Sequence, residues 1–92
     1  MTRDAAETLA LQALGWLAGQ EALFTRFLAD SGATAQDVAV AAGQAGFLAA
    51  VLDFLLMEDG WIIAFCDAAG IGYEMPMQAR AALPGGQAMH WT

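Results

Sequence analysis

FLAAVLDFLL, residues 47–56, is the most apolar run of the chain and organises the rest of it. Its large apolar side chains recur at the spacing of one α-helix, and its only charged residue is Asp53. The uncharged segment that contains its first part, residues 38–52, is 15 residues long and holds two glycines. A membrane-spanning helix needs about 20 apolar residues. We therefore expect residues 44–57 to form the most apolar helix of a soluble, cytoplasmic protein.

Outward from this run, glycines interrupt the chain at helical intervals, as residues that end helices do. The composition also favours helix, because the chain has 22 alanines against three valines and three isoleucines. The sequence predicts an all-α fold, a compact bundle of six short helices at about residues 4–18, 20–31, 34–43, 44–57, 59–69 and 75–83. A chain of 92 residues has room for one domain, expected at residues 1–86, and a flexible tail at residues 87–92.

A shift of 38 residues aligns the first half of the chain with the second. Apolar positions then fall on apolar positions, as Phe27 does on Phe65, and Gly32 falls on Gly70. This pattern favours two three-helix units, each too thin to bury its own apolar face, that share one core. The alternative is that any two amphipathic helical hairpins would align as well.

Acidic residues dominate the charge. Ten Asp and Glu face three arginines, which gives a formal net charge of −7 and a pI near 4.1. Proteins bind nucleic acids and anionic membranes through clustered Lys and Arg, whereas Arg3, Arg26 and Arg80 are far apart in the chain. We expect neither a nucleic acid nor a membrane as partner. The single cysteine, Cys66, excludes an internal disulfide and fits a reducing compartment.

No arrangement of residues in the sequence predicts catalysis, and we expect a protein that is not an enzyme. The only histidine, His90, lies in the predicted tail, far along the chain from Cys66, so a Cys–His pair is not expected. Cys66 is interpreted as a small buried apolar residue. Glu58 and Asp59 diverge by about 100° on a helix and cannot hold one ion together. We assign no catalytic residue, no metal ligand and no cofactor.

Asp53 interrupts the apolar helix and marks a candidate interaction surface. It shares a narrow helix face with small residues and a methionine, which another helix could approach closely. Either its carboxylate is buried, at a cost that would indicate a function, or this face is the solvent-exposed strip of the helix. Aromatic and methionine side chains further along extend the surface where they are exposed, although Trp61 could equally belong to the core. The candidate surface comprises Ala49, Asp53, Met57, Trp61, Met75 and Met77.

Three segments carry a resemblance to a known family: FLAAVLDFLL at 47–56, LALQALGWLA at 9–18 and AALPGG at 81–86. Over about residues 5–86 the chain resembles a family of short alphaproteobacterial proteins catalogued as a domain of unknown function. That family has no established activity. The resemblance therefore implies a bacterial lineage and a helical fold, and it transfers no catalytic residue.

Two functional hypotheses remain. By elimination, the first is a non-catalytic protein–protein interaction or adaptor module, including a regulatory one, whose acidic surface attracts a basic patch on a protein partner or which self-associates. The alternative is a carrier of a small apolar ligand or lipid, with the aromatic side chains of the fourth and fifth predicted helices around a cavity between the two units.

Overall fold

The computed structural model of the protein describes residues 1–83 and contains six α-helices in that range. They are α1 (Arg3–Ala18), α2 (Glu21–Ser31), α3 (Ala35–Ala41), α4 (Ala45–Leu55), α5 (Asp59–Ala69) and α6 (Met75–Ala82). Residues 1–83 contain no β-strand, and the predicted all-α bundle is confirmed. The last residues of the predicted domain, 84–86, and the predicted tail, 87–92 with His90, lie outside the described residues.

Hydrogen bonds explain two of these limits, the start of α3 and the end of α4. At the start of α3, the Asp37 backbone N–H donates to the Thr34 hydroxyl oxygen at 3.1 Å, and the Thr34 N–H donates to the Asp37 carboxylate at 3.0 Å. This reciprocal pair satisfies two N–H groups that a helix leaves free at its first turn. Helix α4 ends two residues before its predicted limit. There the Met57 N–H donates to the Phe54 carbonyl oxygen at 3.1 Å, and this tight turn frees Glu58 to precede α5.

Helices α1 and α4 form the centre of the core. Helix α1 packs mainly against α4 and α6, and α4 packs also against α6 and α2. Full burial of a large apolar side chain stabilises a fold by about 1.5–3 kcal/mol, so α4 is a principal source of stability. Its six buried residues are Leu48, Ala49, Val51, Leu52, Phe54 and Leu55.

Aromatic pairs attach the outer helices to this centre. Phe27, the one buried residue of α2, packs edge-to-face against Phe47 and Phe54, with ring centroids 5.7 and 5.4 Å away. Phe65 of α5 packs in the same manner against Trp16, at 6.0 Å. Such pairs contribute about 0.5–1.5 kcal/mol beyond the area they bury. Helix α3, by contrast, has no buried residue.

Helices α2 and α5 occupy equivalent positions under the 38-residue shift. Both are 11 residues long, and each is followed by a glycine in the left-handed conformation, Gly32 at φ 74° and Gly70 at φ 72°. The third helices differ, because α3 has no buried residue whereas α6 buries Pro76 and Ala79. The internal repeat stays a prediction.

The left-handed glycine after α5 yields a stability prediction. A Cβ added at Gly70 would meet no atom within 4 Å, so Gly70→Ala tests backbone conformation alone. We expect the substitution to lower the free energy of unfolding by about 1–2 kcal/mol in urea denaturation, because a left-handed conformation is costly for L-residues. Gly15→Ala is the control, since that site is equally open but lies within α1. It should raise stability by about 0.5–1 kcal/mol. Equal effects of the two variants would contradict this account.

Candidate functional site

The six residues of the predicted interaction surface differ in their exposure to solvent. Ala49 is only 4% exposed. Its assignment to a surface open to another helix is wrong, because α4 is covered by neighbours on more sides than a surface helix would be. Met57 and Met77 are 54% and 68% exposed, while Trp61 and Met75 are half-buried against the core.

Asp53 lies on the exposed strip of α4 and has a partner on α6. The Arg80 Nε donates to Asp53 Oδ1 at 2.6 Å and Arg80 Nη2 donates to Oδ2 at 3.2 Å, across 27 residues of sequence. The carboxylate side chain is 46% exposed, whereas the arginine side chain is only 11% exposed. This two-point ion pair fixes α6 to α4, and it shows that Asp53 is not a buried, unpaired acid.

Arg80 was not predicted from the sequence as the partner of Asp53. Its guanidinium group has one further unusual feature. Its Nη1 is buried and has no hydrogen-bond acceptor among residues 1–83. A buried donor without an acceptor costs about 1–3 kcal/mol, so the two bonds to Asp53 matter more for this arginine than for an exposed one.

An apolar groove opens on the surface between α2 and α4. We call it the α2–α4 groove. Its volume is about 340 Å³. Two of its lining residues, Asp53 and Met57, belong to the predicted surface, whereas three from α2 and two more from α4 were not predicted. The lining residues are Phe27, Asp30, Ser31, Ala50, Asp53, Phe54 and Met57.

Trp61 of α5 lies beside this groove, and its ring already packs against two other side chains. Its ring stacks on Phe54 with centroids 4.9 Å apart, and the Arg26 guanidinium lies 5.3 Å from its centroid. The same Arg26 makes an exposed ion pair with Asp30 at 3.8 Å. Trp61 therefore supports a wall of the groove, whereas Met75 and Met77 lie on α6 outside its lining.

Two carboxylates and two helix C-termini surround the groove, and the carboxylates pair with Arg26 and Arg80. It is formed by the C-terminal halves of α2 and α4, and the last turn of neither helix contains a basic residue. Each helix C-terminus carries a partial negative charge of about half an electron. Asp30 on one wall and Asp53 on the other add carboxylates near these ends.

A second groove lies between α1 and α5. Its volume is about 370 Å³ and its lining residues are Gln12, Gly15, Trp16, Phe65, Ala68 and Ala69. Both grooves therefore lie between a helix of the first predicted unit and a helix of the second.

Two groups near the end of α5, Cys66 and Tyr73, have a raised pKa. Cys66 is fully buried, and its Sγ–H donates to the Gly72 carbonyl at 3.5 Å. Burial raises the pKa of the Cys66 thiol, and the charges of Asp67 and Glu74 raise it further. Tyr73 donates its hydroxyl hydrogen to Asp67 at 2.7 Å, and this hydrogen bond raises the pKa of Tyr73. A protonated, inaccessible thiol is a poor nucleophile.

Within residues 1–83, no three His, Cys, Asp or Glu side chains lie close enough together to hold a metal ion. In the same range, none of the helices has the length and apolar character needed to cross a membrane.

Comparison with protein families gives a match over most of the chain. A family model with the description "Protein of unknown function (DUF3572)" matches residues 3–86. No curated protein and no solved structure matches the chain.

Proposed function

The chain belongs to this family of proteins of unknown function (DUF3572), and we propose that it acts as a non-catalytic protein-interaction module that binds a protein partner in the α2–α4 groove. One observation carries the proposal: an apolar groove of about 340 Å³ lies open on the surface, with Met57, 54% exposed, in its lining. Methionine adapts its shape to different partners and is favoured at binding surfaces.

Size and openness favour a macromolecular partner. The groove has room for a few side chains of a partner, whose backbone would stay outside it. A partner would lie over the groove and insert apolar side chains towards Phe27 and Phe54. The proposal places this interaction in the cytoplasm, where the single thiol of Cys66 stays reduced.

Site-specific photo-crosslinking in the native cells tests the proposal. Met57→p-benzoylphenylalanine should give a discrete light-dependent product that contains one partner protein. Val40→p-benzoylphenylalanine is the control, because Val40 is 78% exposed but lies on α3. No product from position 57, or the same product from position 40, would contradict the proposal. A product with twice the mass of the chain would show that the partner is a second copy of the same protein.

A pair of space-filling variants locates the interaction. Ala50→Phe places a ring in the α2–α4 groove, and Ala68→Phe places one in the α1–α5 groove. We expect the crosslink from position 57 to disappear in the first variant and to persist in the second. Persistence of the crosslink in Ala50→Phe, with the variant folded by circular dichroism, would show that the groove is not the docking site.

A carrier of a small apolar ligand is the second candidate function. The two grooves, at about 340 and 370 Å³, reach the lower end of the range for ligand sites, about 300–1,000 Å³. Both are open to solvent, whereas a ligand site typically buries about 70–90% of its ligand, and this difference favours the interaction module. Native mass spectrometry with added oleate separates the two functions. A one-to-one oleate adduct that one of the two phenylalanine variants abolishes would support the carrier.

A further inference from the structure

We propose that the occupant of the α2–α4 groove is a basic amphipathic helix of a partner protein, an inference that rests on the proposed function. Amphipathic helices bind grooves by inserting apolar side chains spaced at i, i+3, i+4 and i+7. The floor of the groove, with Phe27, Ala50 and Phe54, is apolar, so an apolar stripe matches its chemistry. The charges around the floor favour basic residues on the polar flanks of the helix.

Carboxylates stand on both walls at positions that are unfavourable for the helices themselves. Asp30 lies in the last turn of α2 and Asp53 in the last turn of α4, where a negative charge opposes the helix dipole. Such a charge costs a helix stability, and Lys or Arg is the residue type favoured there. Neither last turn contains a basic residue of the chain. Arg80 already pairs with Asp53, so a cation from a partner would compensate Asp30 and the helix ends.

The arginines of the chain leave Asp30 the more accessible carboxylate. Asp53 already receives two hydrogen bonds from Arg80. Among residues 1–83, Asp30 has only the long contact of 3.8 Å to Arg26, in which both side chains are about half exposed. A partner's Lys or Arg can therefore replace Arg26 at Asp30 with little rearrangement. The net charge of −7 attracts a basic helix from a distance as well.

Three synthetic peptides test the charge of the occupant. All three carry the same leucines at i, i+3, i+4 and i+7, and they differ only in flanking residues, which are Lys and Arg, Gln, or Glu. Isothermal titration calorimetry at about 0.15 M salt measures their affinities for the full chain. We expect the basic peptide to bind at least about ten-fold more tightly than the Gln peptide, and the Glu peptide to bind most weakly.

Two charge reversals on one helix separate local from general attraction. Asp30→Lys should weaken the basic peptide about ten-fold. Glu21→Lys changes the net charge equally but lies nine residues away on α2, about 13 Å along the helix. That distance exceeds the screening length of about 8 Å at this salt concentration, so its effect should stay below about two-fold. Equal weakening by both reversals would overturn the inference, because binding would then follow net charge alone.

The remaining outcomes distinguish this inference from the proposed function. If all three peptides bind alike and Ala50→Phe abolishes binding, the groove is a docking site and the basic partner is wrong. If none binds while position 57 still crosslinks a partner, the inference fails and the proposed function stands. If none binds and position 57 gives no product, both fail.

Discussion

Phe27→Ala is expected to destabilise the protein by about 3–5 kcal/mol, the range for truncation of a buried phenylalanine to alanine. The substitution removes two edge-to-face aromatic contacts, with Phe47 and Phe54, and the buried anchor of α2. A small domain has a total stability of about 5–15 kcal/mol, so the loss is a large part of the whole. Urea unfolding followed by circular dichroism measures it as a lower midpoint at unchanged slope.

Val40→Ala is the matched comparison for Phe27→Ala. Val40 is apolar but 78% exposed, and a substitution at such a site changes stability by less than about 0.5 kcal/mol. If Phe27→Ala were as mild as Val40→Ala, Phe27 would not anchor α2, and the description of the groove floor would be wrong as well.

The pair between Asp53 and Arg80 should also contribute strongly to stability. Asp53→Ala leaves a guanidinium that is 11% exposed without its carboxylate, and we expect a loss of about 1–2 kcal/mol. The value is below that for a fully buried pair because the carboxylate is 46% exposed to water. Arg80→Met should cost less than about 1 kcal/mol, since methionine retains much of the apolar stem and the freed Asp53 is solvated.

A double-mutant cycle measures this coupling without the side effects of each substitution. Asp53→Ala combined with Arg80→Met should cost clearly less than the sum of the two single variants. The exposed pair between Arg26 and Asp30, at 3.8 Å, is the control, and its cycle should give a coupling of about 0–0.5 kcal/mol. Additive effects at Asp53 and Arg80 would show that their contact does not connect α4 to α6.

Local patterns in the sequence were sufficient to predict the helices. The limits of α5 agree with the prediction, residues 59–69, because Gly70 adopts the left-handed conformation that ends it. The end of α4 was predicted two residues too late, since no glycine or proline follows it and the turn at Met57 is made by ordinary residues. Composition and periodicity were therefore enough to predict the fold class. The end of α4 was predicted wrongly because no helix-ending residue type marks it.

The groove could not be predicted from the pattern of a single helix, because two helices form its walls. A helical face at Asp53 and Met57 is visible in the sequence, and both residues line the groove. The opposite wall, with Asp30, comes from α2, and its position depends on how α2 packs across α4. The same holds for Arg80, which reaches Asp53 across 27 residues. Ala49 was misplaced for the related reason that burial depends on every neighbouring helix.

The unequal anchoring of the helices has a consequence for the dynamics of the chain. Residues 21–41, which include α2 and α3, contain a single buried residue, Phe27, whereas α1 and α4 bury six residues each. Proteins open in cooperative parts whose opening free energies follow the apolar contacts that each part must break. We therefore expect residues 21–41 to open at a lower free energy than global unfolding, and their amide hydrogens to exchange with solvent sooner than those of α1 and α4.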